Sequence, residues 1–218
     1  MYRCKMWIIY HSHVILCLVV FFPWLGFAQV RHQHHPPRGA SEYAGALESQ
    51  TRDEWQKPHE VLQALGLKPG EVVADIGAGT GYFTRRFARH GAKVLAVDVE
   101  EALLQEHWKG GEANVTKVLA KMDDPMLPVG GVDTVFFCNV AHHLDARAAY
   151  YAKVRKALKP DGRVVVLDFH KRELPVGPPP SMKISREEMV KEWEAAGFRL
   201  AAEQTILPHQ YFLEFRLR

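Results

Sequence analysis

The chain has 218 residues, enough for one α/β domain with its own core, and its 47% hydrophobic and 24% charged content is ordinary for a globular protein. The formal net charge is +3, and residues 1–28 hold Arg3 and Lys5 but no acid, which leaves 26 basic against 25 acidic residues in the rest. A near-neutral domain without a Lys/Arg stripe excludes the usual electrostatic basis for a nucleic-acid partner.

In chain order, Arg3 and Lys5 form a basic start, Val14 to Phe22 is a nearly unbroken apolar run, and Gly26-Phe27-Ala28 places small residues before Gln29. This layout predicts a signal peptide over residues 1–28 and export to the periplasm or envelope, with membrane proximity through this segment. The alternatives are an uncleaved anchor or a wrongly assigned start, which would leave the domain in the cytoplasm. Cys4 and Cys17 fall in the leader, so Cys138 stands alone afterwards and neither a disulfide nor a cysteine metal cluster is expected. Residues 29–40 read as a His/Pro-rich linker, a solvated tether and not a metal site. Residues 41–65 carry two helical patterns, Glu42 to Ser49 and Pro58 to Leu65. The domain is expected to occupy residues 41–218, with 41–65 as N-terminal cap helices.

Strands and helices then alternate. Glu71 to Ile76 predicts a strand, Gly81 to His90 a helix stopped by Gly91, Lys93 to Asp98 a strand, and Glu100 to Trp108 a helix broken by Gly110-Gly111. Val115 to Ala120 and Val132 to Cys138 predict strands, Asp145 to Leu158 a helix closed by Lys159-Pro160-Asp161-Gly162, and Arg163 to Phe169 a fifth strand. After the Pro175–Pro180 loop, Ser185-Arg186-Glu187-Glu188 is a capping box for a helix to Ala196. Phe198 to Leu207 and Gln210 to Leu217 read as a terminal antiparallel pair. The predicted fold is a single-domain, Rossmann-like α/β structure with a doubly wound, mostly parallel seven-stranded sheet, because the strand cores are continuous apolar runs that suit helices on both faces. Nothing in the pattern specifies an oligomeric state.

The segment Asp75-Ile76-Gly77-Ala78-Gly79-Thr80-Gly81 joins the first strand to its helix. Glycine admits positive φ and lets a ligand approach the backbone, next to a helix start whose N–H groups are unpaired. The spacing is G-x-G-x-G, and Tyr82 stands where the dinucleotide fingerprint needs its last glycine. Asp75 suits a cationic or hydroxyl-rich ligand better than a pyrophosphate. Asp98 ends the second strand, where a carboxylate can accept from both ribose hydroxyls.

This loop resembles the first motif of the class I S-adenosylmethionine-dependent methyltransferases. The likeness continues through Lys68-Pro69-Gly70, the Leu-Lys-Pro-Asp-Gly turn and the Leu127-Pro128 pair four residues after Asp123. The chain resembles the type 11 methyltransferases and the ubiquinone and menaquinone C-methyltransferases. The resemblance implies S-adenosyl-L-methionine as cofactor and a small-molecule acceptor. Asp75, Gly77, Gly79 and Gly81 would surround the methionine part, Asp98 the ribose, and Asp123 the adenine amino group, with the Asp124 N–H facing the ring. The segment after the fourth strand would pass the reactive methyl, with Asn139 on cofactor or substrate and His142 or His143 as a candidate base. Tyr82, Trp55 and Phe169 are candidate lining. The competing readings are an NAD-type oxidoreductase and a non-catalytic nucleoside-binding envelope protein.

Overall fold

The computed structural model describes residues 51–106 and 112–218. The expected leader, the linker, the Glu42–Ser49 helix and the Trp108 to Gly111 helix end lie outside the described residues. Two short helices open the described part, α1 (Arg52–Gln56) and α2 (Pro58–Leu65). The alternation that follows is β1 (Val72–Ile76), α3 (Tyr82–Arg89), β2 (Lys93–Asp98), α4 (Glu101–Glu106), β3 (Val115–Leu119) and β4 (Val132–Cys138). A 3-10 turn at Ala141–His143 leads to α5 (Arg147–Ala157), β5 (Leu158–Phe169), α6 (Arg186–Ala195), β6 (Phe198–Gln204) and β7 (Gln210–Leu217). No helix among the described residues is long and apolar enough to cross a membrane.

The seven strands form one sheet in the order β3-β2-β1-β4-β5-β7-β6. The first five are parallel; β7 runs antiparallel to β5, and β6 antiparallel to β7. The order reverses between β1 and β4, which pair through Ile76↔Phe137. Crossovers leave this line in both directions, so the loops that follow β1 and β4 open a crevice at their carboxyl ends.

Period-two alternation sorts the core into two layers. Phe137, Val164, Val166, Leu213 and Phe215 face a layer with Tyr151 and Val154 of α5 and Trp193 of α6. Their neighbours Phe136, Val165, Leu167 and Phe212 face the other layer, with Val61 and Leu65 of α2 and Phe83 and Phe87 of α3. Trp193 is the hub of the first layer. It stacks on Tyr151 at 3.8 Å between ring centroids and meets Phe198 and Phe137 edge-on.

The structure departs from the sequence expectation at element ends. β5 begins at Leu158 and not at Arg163, and the Lys159-Pro160-Asp161-Gly162 segment belongs to it. Val132 pairs with Leu158 while Thr134 pairs with Arg163, so this segment bulges out of the ladder. The proline disfavours helical geometry in Lys159, and Leu158 already has the extended ψ of 142°. Lys159 anchors the bulge on Asp133 at 2.7 Å. Ser185 does cap α6, its Oγ accepting from the Glu188 N–H at 3.1 Å.

Trp193→Ala should cost about 3–5 kcal/mol through lost apolar contact and a large void. Trp193→Phe should cost clearly less, because it also removes an indole N–H that is buried with no partner among the described residues. Urea midpoints at constant m-value measure both, and equal losses would contradict this account of the core.

Candidate active site

The loop after β1 turns through the left-handed region at Gly77 (φ 67°), Gly79 (φ 53°) and Gly81 (φ 84°), which a side chain with a Cβ adopts only under strain. At Gly77 the close approach comes from the protein itself: a Cβ there would lie 2.6 Å from Val140 Cγ2 in the loop after β4. The loop is tied to β2 by the Ala78 N–H on the Val97 carbonyl at 3.0 Å and the Gly79 N–H on Asp98 Oδ2 at 2.7 Å. Asp98 Oδ1 accepts from the Glu100 N–H at 3.0 Å. An ionised carboxylate offers about four acceptor positions, so Asp98 shapes the glycine loop and still has room for two hydroxyl donors.

Asp75 is buried at the end of β1 and accepts from the Thr84 hydroxyl at 2.5 Å. Burial raises its pKa to about 7, against the lowering effects of Thr84 and the Arg52 guanidinium. Arg52 comes from α1 and lies over the Tyr82 ring at 3.8 Å, while Arg86 approaches the same ring at 4.0 Å. Asp53 accepts from the Tyr82 hydroxyl and pairs with Arg86 at 3.2 Å. Tyr82 is therefore a buried platform for two guanidinium groups, one of them from α1, a helix that the sequence expectation of Glu42–Ser49 and Pro58–Leu65 did not include.

The same helix reaches the β4 side. Gln56 Nε2 donates to Gln210 Oε1 at 2.8 Å, Gln210 Nε2 to Asn139 Oδ1 at 2.5 Å, and Asn139 Nδ2 to Gln56 Oε1 at 3.3 Å. Three carboxamides thus close a ring that joins α1, the β4 exit and β7. Asn139 holds its place with a left-handed φ of 59°. The Cys138 thiol, pushed up to about 12 by burial, donates to Gln56 Oε1 at 3.5 Å. Trp55 meets Phe169 at 5.7 Å between rings.

His142 follows in the 3-10 turn. Its Nδ1 lies 2.9 and 3.0 Å from the two oxygens of Asp168 at the end of β5, and both residues are buried. Asp168 Oδ1 also accepts from the Phe169 N–H at 2.8 Å. His143 packs its ring 4.2 Å from that of His142. After β3, Asp123 is largely exposed and pairs with Lys153 at 3.4 Å, and Asp124 pairs with the same lysine at 3.2 Å. The Met126 N–H is the main cause that holds the Asp124 carboxyl below the usual range. No hydrogen bond among the described residues ties either to the glycine loop. Sequence reasoning missed Gln56, Gln210 and Asp168. The first two carry no local signal, whereas an acid ending an apolar strand, as in Asp75 and Asp98, was the clue available for Asp168.

The methyltransferase domain family matches residues 74–166. The demethylmenaquinone methyltransferase of Tropheryma whipplei (strain Twist) is 34% identical over 108 residues, covering 48% of this chain and 44% of that protein. The ubiquinone/menaquinone biosynthesis C-methyltransferase UbiE of Ectopseudomonas mendocina is 32% identical over 122 residues, covering 50% and 46%. The chain therefore spans about half the length of the curated relatives it matches. A SAM-dependent methyltransferase from Aquifex aeolicus superposes with a TM-score of 0.77 at 26% identity, over 84% of this chain and 100% of that one. These findings bear out the resemblance to class I S-adenosylmethionine-dependent methyltransferases. The donor set fits that cofactor: left-handed glycines, a carboxylate on the neighbouring strand, and an acid and a guanidinium that complement an amino-acid zwitterion.

Two predictions follow from the carboxylates. Asp98→Ala should weaken binding of S-adenosylhomocysteine by about 1–3 kcal/mol in calorimetry; an unchanged dissociation constant would refute the ribose role. Asp75 keeps a proton in the folded state between its unfolded value of 3.8 and about 7. Folding stability is therefore lost as pH rises through that window. Asp75→Asn should melt higher than the native protein at alkaline pH, with the gain vanishing in acid, yet bind S-adenosylhomocysteine more weakly. Native affinity should rise by about tenfold per pH unit up to about 7, because the ligand's ammonium needs the ionised acid. A flat profile would contradict this.

Proposed function

We propose that this protein is an S-adenosyl-L-methionine-dependent methyltransferase that delivers a methyl group to a small-molecule acceptor, with His142 as general base. One observation carries the reading: the Gly77–Gly81 loop lies between the strand-end carboxylates of Asp75 and Asp98 at the point where the sheet order reverses, with Arg52 beside it. The names of the relatives, a demethylmenaquinone methyltransferase and a C-methyltransferase of quinone biosynthesis, support the same class of acceptor.

The bound cofactor supplies a methyl group on a cationic sulfur, already strongly electrophilic. The chain has to orient an acceptor, remove its proton and keep water away. Asp168 fixes the His142 ring through Nδ1, which puts the lone pair on Nε2. That nitrogen takes the proton from a hydroxyl or an acidic carbon as the nucleophile forms. The Asp168 carboxylate then stabilises the imidazolium. His143, half-buried against the His142 ring, limits where the imidazole can turn. Asp123 in the adenine role requires its carboxylate to leave Lys153, whose exposed ion pair is weak, and the Asp124 N–H can face the ring only by leaving the Lys121 carbonyl, to which it donates at 3.1 Å. Residues 1–28 support export of this domain by their composition.

Labelled cofactor incubated with the native protein and a metabolite extract should yield methylated small molecules. His142→Gln should lower kcat about 10²–10⁴-fold with the S-adenosylhomocysteine affinity unchanged. Asp168→Asn should also lower kcat and shift the pH–rate profile. Full activity in His142→Gln would remove the base assignment. Binding of NAD but of neither sulfur ligand would end the methyltransferase reading.

A further inference from the structure

Outside the cofactor loop and the His142–Asp168 pair, one buried charge has no use in the chemistry so far. Lys183 is 3% exposed. Its Nζ donates to the Arg172 carbonyl at 2.8 Å and stands 5.7 Å from the centroid of the Phe169 ring. Among the described residues no carboxylate forms an ion pair with it; Glu173 and Asp168 act on it only from farther off. One of its three donors is therefore committed to a protein acceptor. Burial pushes its pKa down. The neighbouring cations differ: Lys171 pairs with Glu188 at 3.7 Å and Arg186 with Glu203 at 2.5 Å, both at more exposed positions.

The position of this ammonium points to a task. Phe169 follows Asp168, which holds His142, and its ring meets Trp55 of the cap helix. Lys183 and Trp55 thus both approach Phe169 at the carboxyl end of β5, next to the Asp168 that holds His142. In an open α/β sheet ligands bind outside the carboxyl ends of the strands. We propose that Lys183 is the specificity-determining residue for the methyl acceptor and receives a carboxylate carried by that acceptor. The inference rests on the methyltransferase reading and deepens it.

A purely structural lysine would serve only to hold the loop between Arg172 and Lys183. That task needs one donor and no charge, whereas burying an ammonium without an anion is costly. A carboxylate from the ligand supplies the missing charge and accepts the uncommitted donors as short charge-assisted hydrogen bonds. The Phe169 ring offers the ammonium a favourable π-face.

The test uses the full chain as native protein, Lys183→Met and Lys183→Arg. A metabolite extract is split on an anion exchanger at neutral pH into retained and unretained pools, and each is incubated with methyl-labelled cofactor. Label should enter the retained pool, fall by about tenfold or more in Lys183→Met, and return in part in Lys183→Arg. S-adenosylhomocysteine affinity should stay at the native value, and Lys183→Met should melt no lower than the native protein because a buried charge has gone. Transfer into the unretained pool alone, or equal transfer by Lys183→Met from the retained pool, would overturn the assignment and leave the methyltransferase reading standing. Loss of transfer after phosphatase treatment of the retained pool would overturn the carboxylate in favour of a phosphate. No transfer into either pool by a native protein that binds S-adenosylhomocysteine would strike the methyltransferase reading itself.

Discussion

The loops that leave β1 and β4 run back to back, and the rest of the site depends on how tightly they meet. Their strands are direct neighbours, yet the chain winds away from them in opposite directions. Val140 therefore sits where a Gly77 side chain would be, 2.6 Å from the position of its missing Cβ. The glycine is demanded by the protein's own packing as well as by its left-handed φ. Once this contact is made, the Gly79 N–H falls on Asp98, Asn139 is committed to a left-handed turn, and the 3-10 turn behind Val140 carries His142 toward Asp168. Cofactor loop and candidate base are thereby placed by one steric fit.

The short helix α1 binds both sides of this crevice together. Five residues could not hold a helix in water on their own. Arg52 and Asp53 fasten it to Tyr82 and Arg86 beside the glycine loop, and Trp55 and Gln56 fasten it to Phe169, Asn139 and Gln210 at the ends of β4, β5 and β7. The carboxamide ring is economical in a buried place. Each amide both donates and accepts, so no charge is needed and polar groups at the centre of the site are satisfied. Asp75 and Lys183 are buried nearby without an ion pair among the described residues, the one accepting from the Thr84 hydroxyl and the other donating to the Arg172 carbonyl. Burial raises the acid to about 7 and pushes the lysine down, so both charged forms are costly in the folded protein.

What could be read from the sequence was local. The glycine spacing, the acids that end β1 and β2, and the apolar strands between helices are features of contiguous residues, and each predicted element of the described sheet is present. Boundaries were less legible where two signals competed. Lys159-Pro160-Asp161-Gly162 has turn chemistry, but pairing of Leu158 with Val132 draws it into β5 as a bulge. The capping box of α6 formed because Ser185 and Glu188 need only each other. Gln56, Asn139 and Gln210 lie 83, 154 and 71 residues apart pairwise, and no pattern in a single chain ties such positions together. Asp168 was legible by the strand-end rule but stood inside the run Val164 to Phe169, which reads as core.

The most direct test of the account is a crystal structure of the protein grown with S-adenosylhomocysteine. The account predicts the ligand against the Gly77–Gly81 backbone, its ribose hydroxyls on Asp98, its amino group toward Asp75, and its sulfur on the side of Asn139 and His142. A ligand bound elsewhere, or not at all under conditions that saturate the protein in solution, would contradict it.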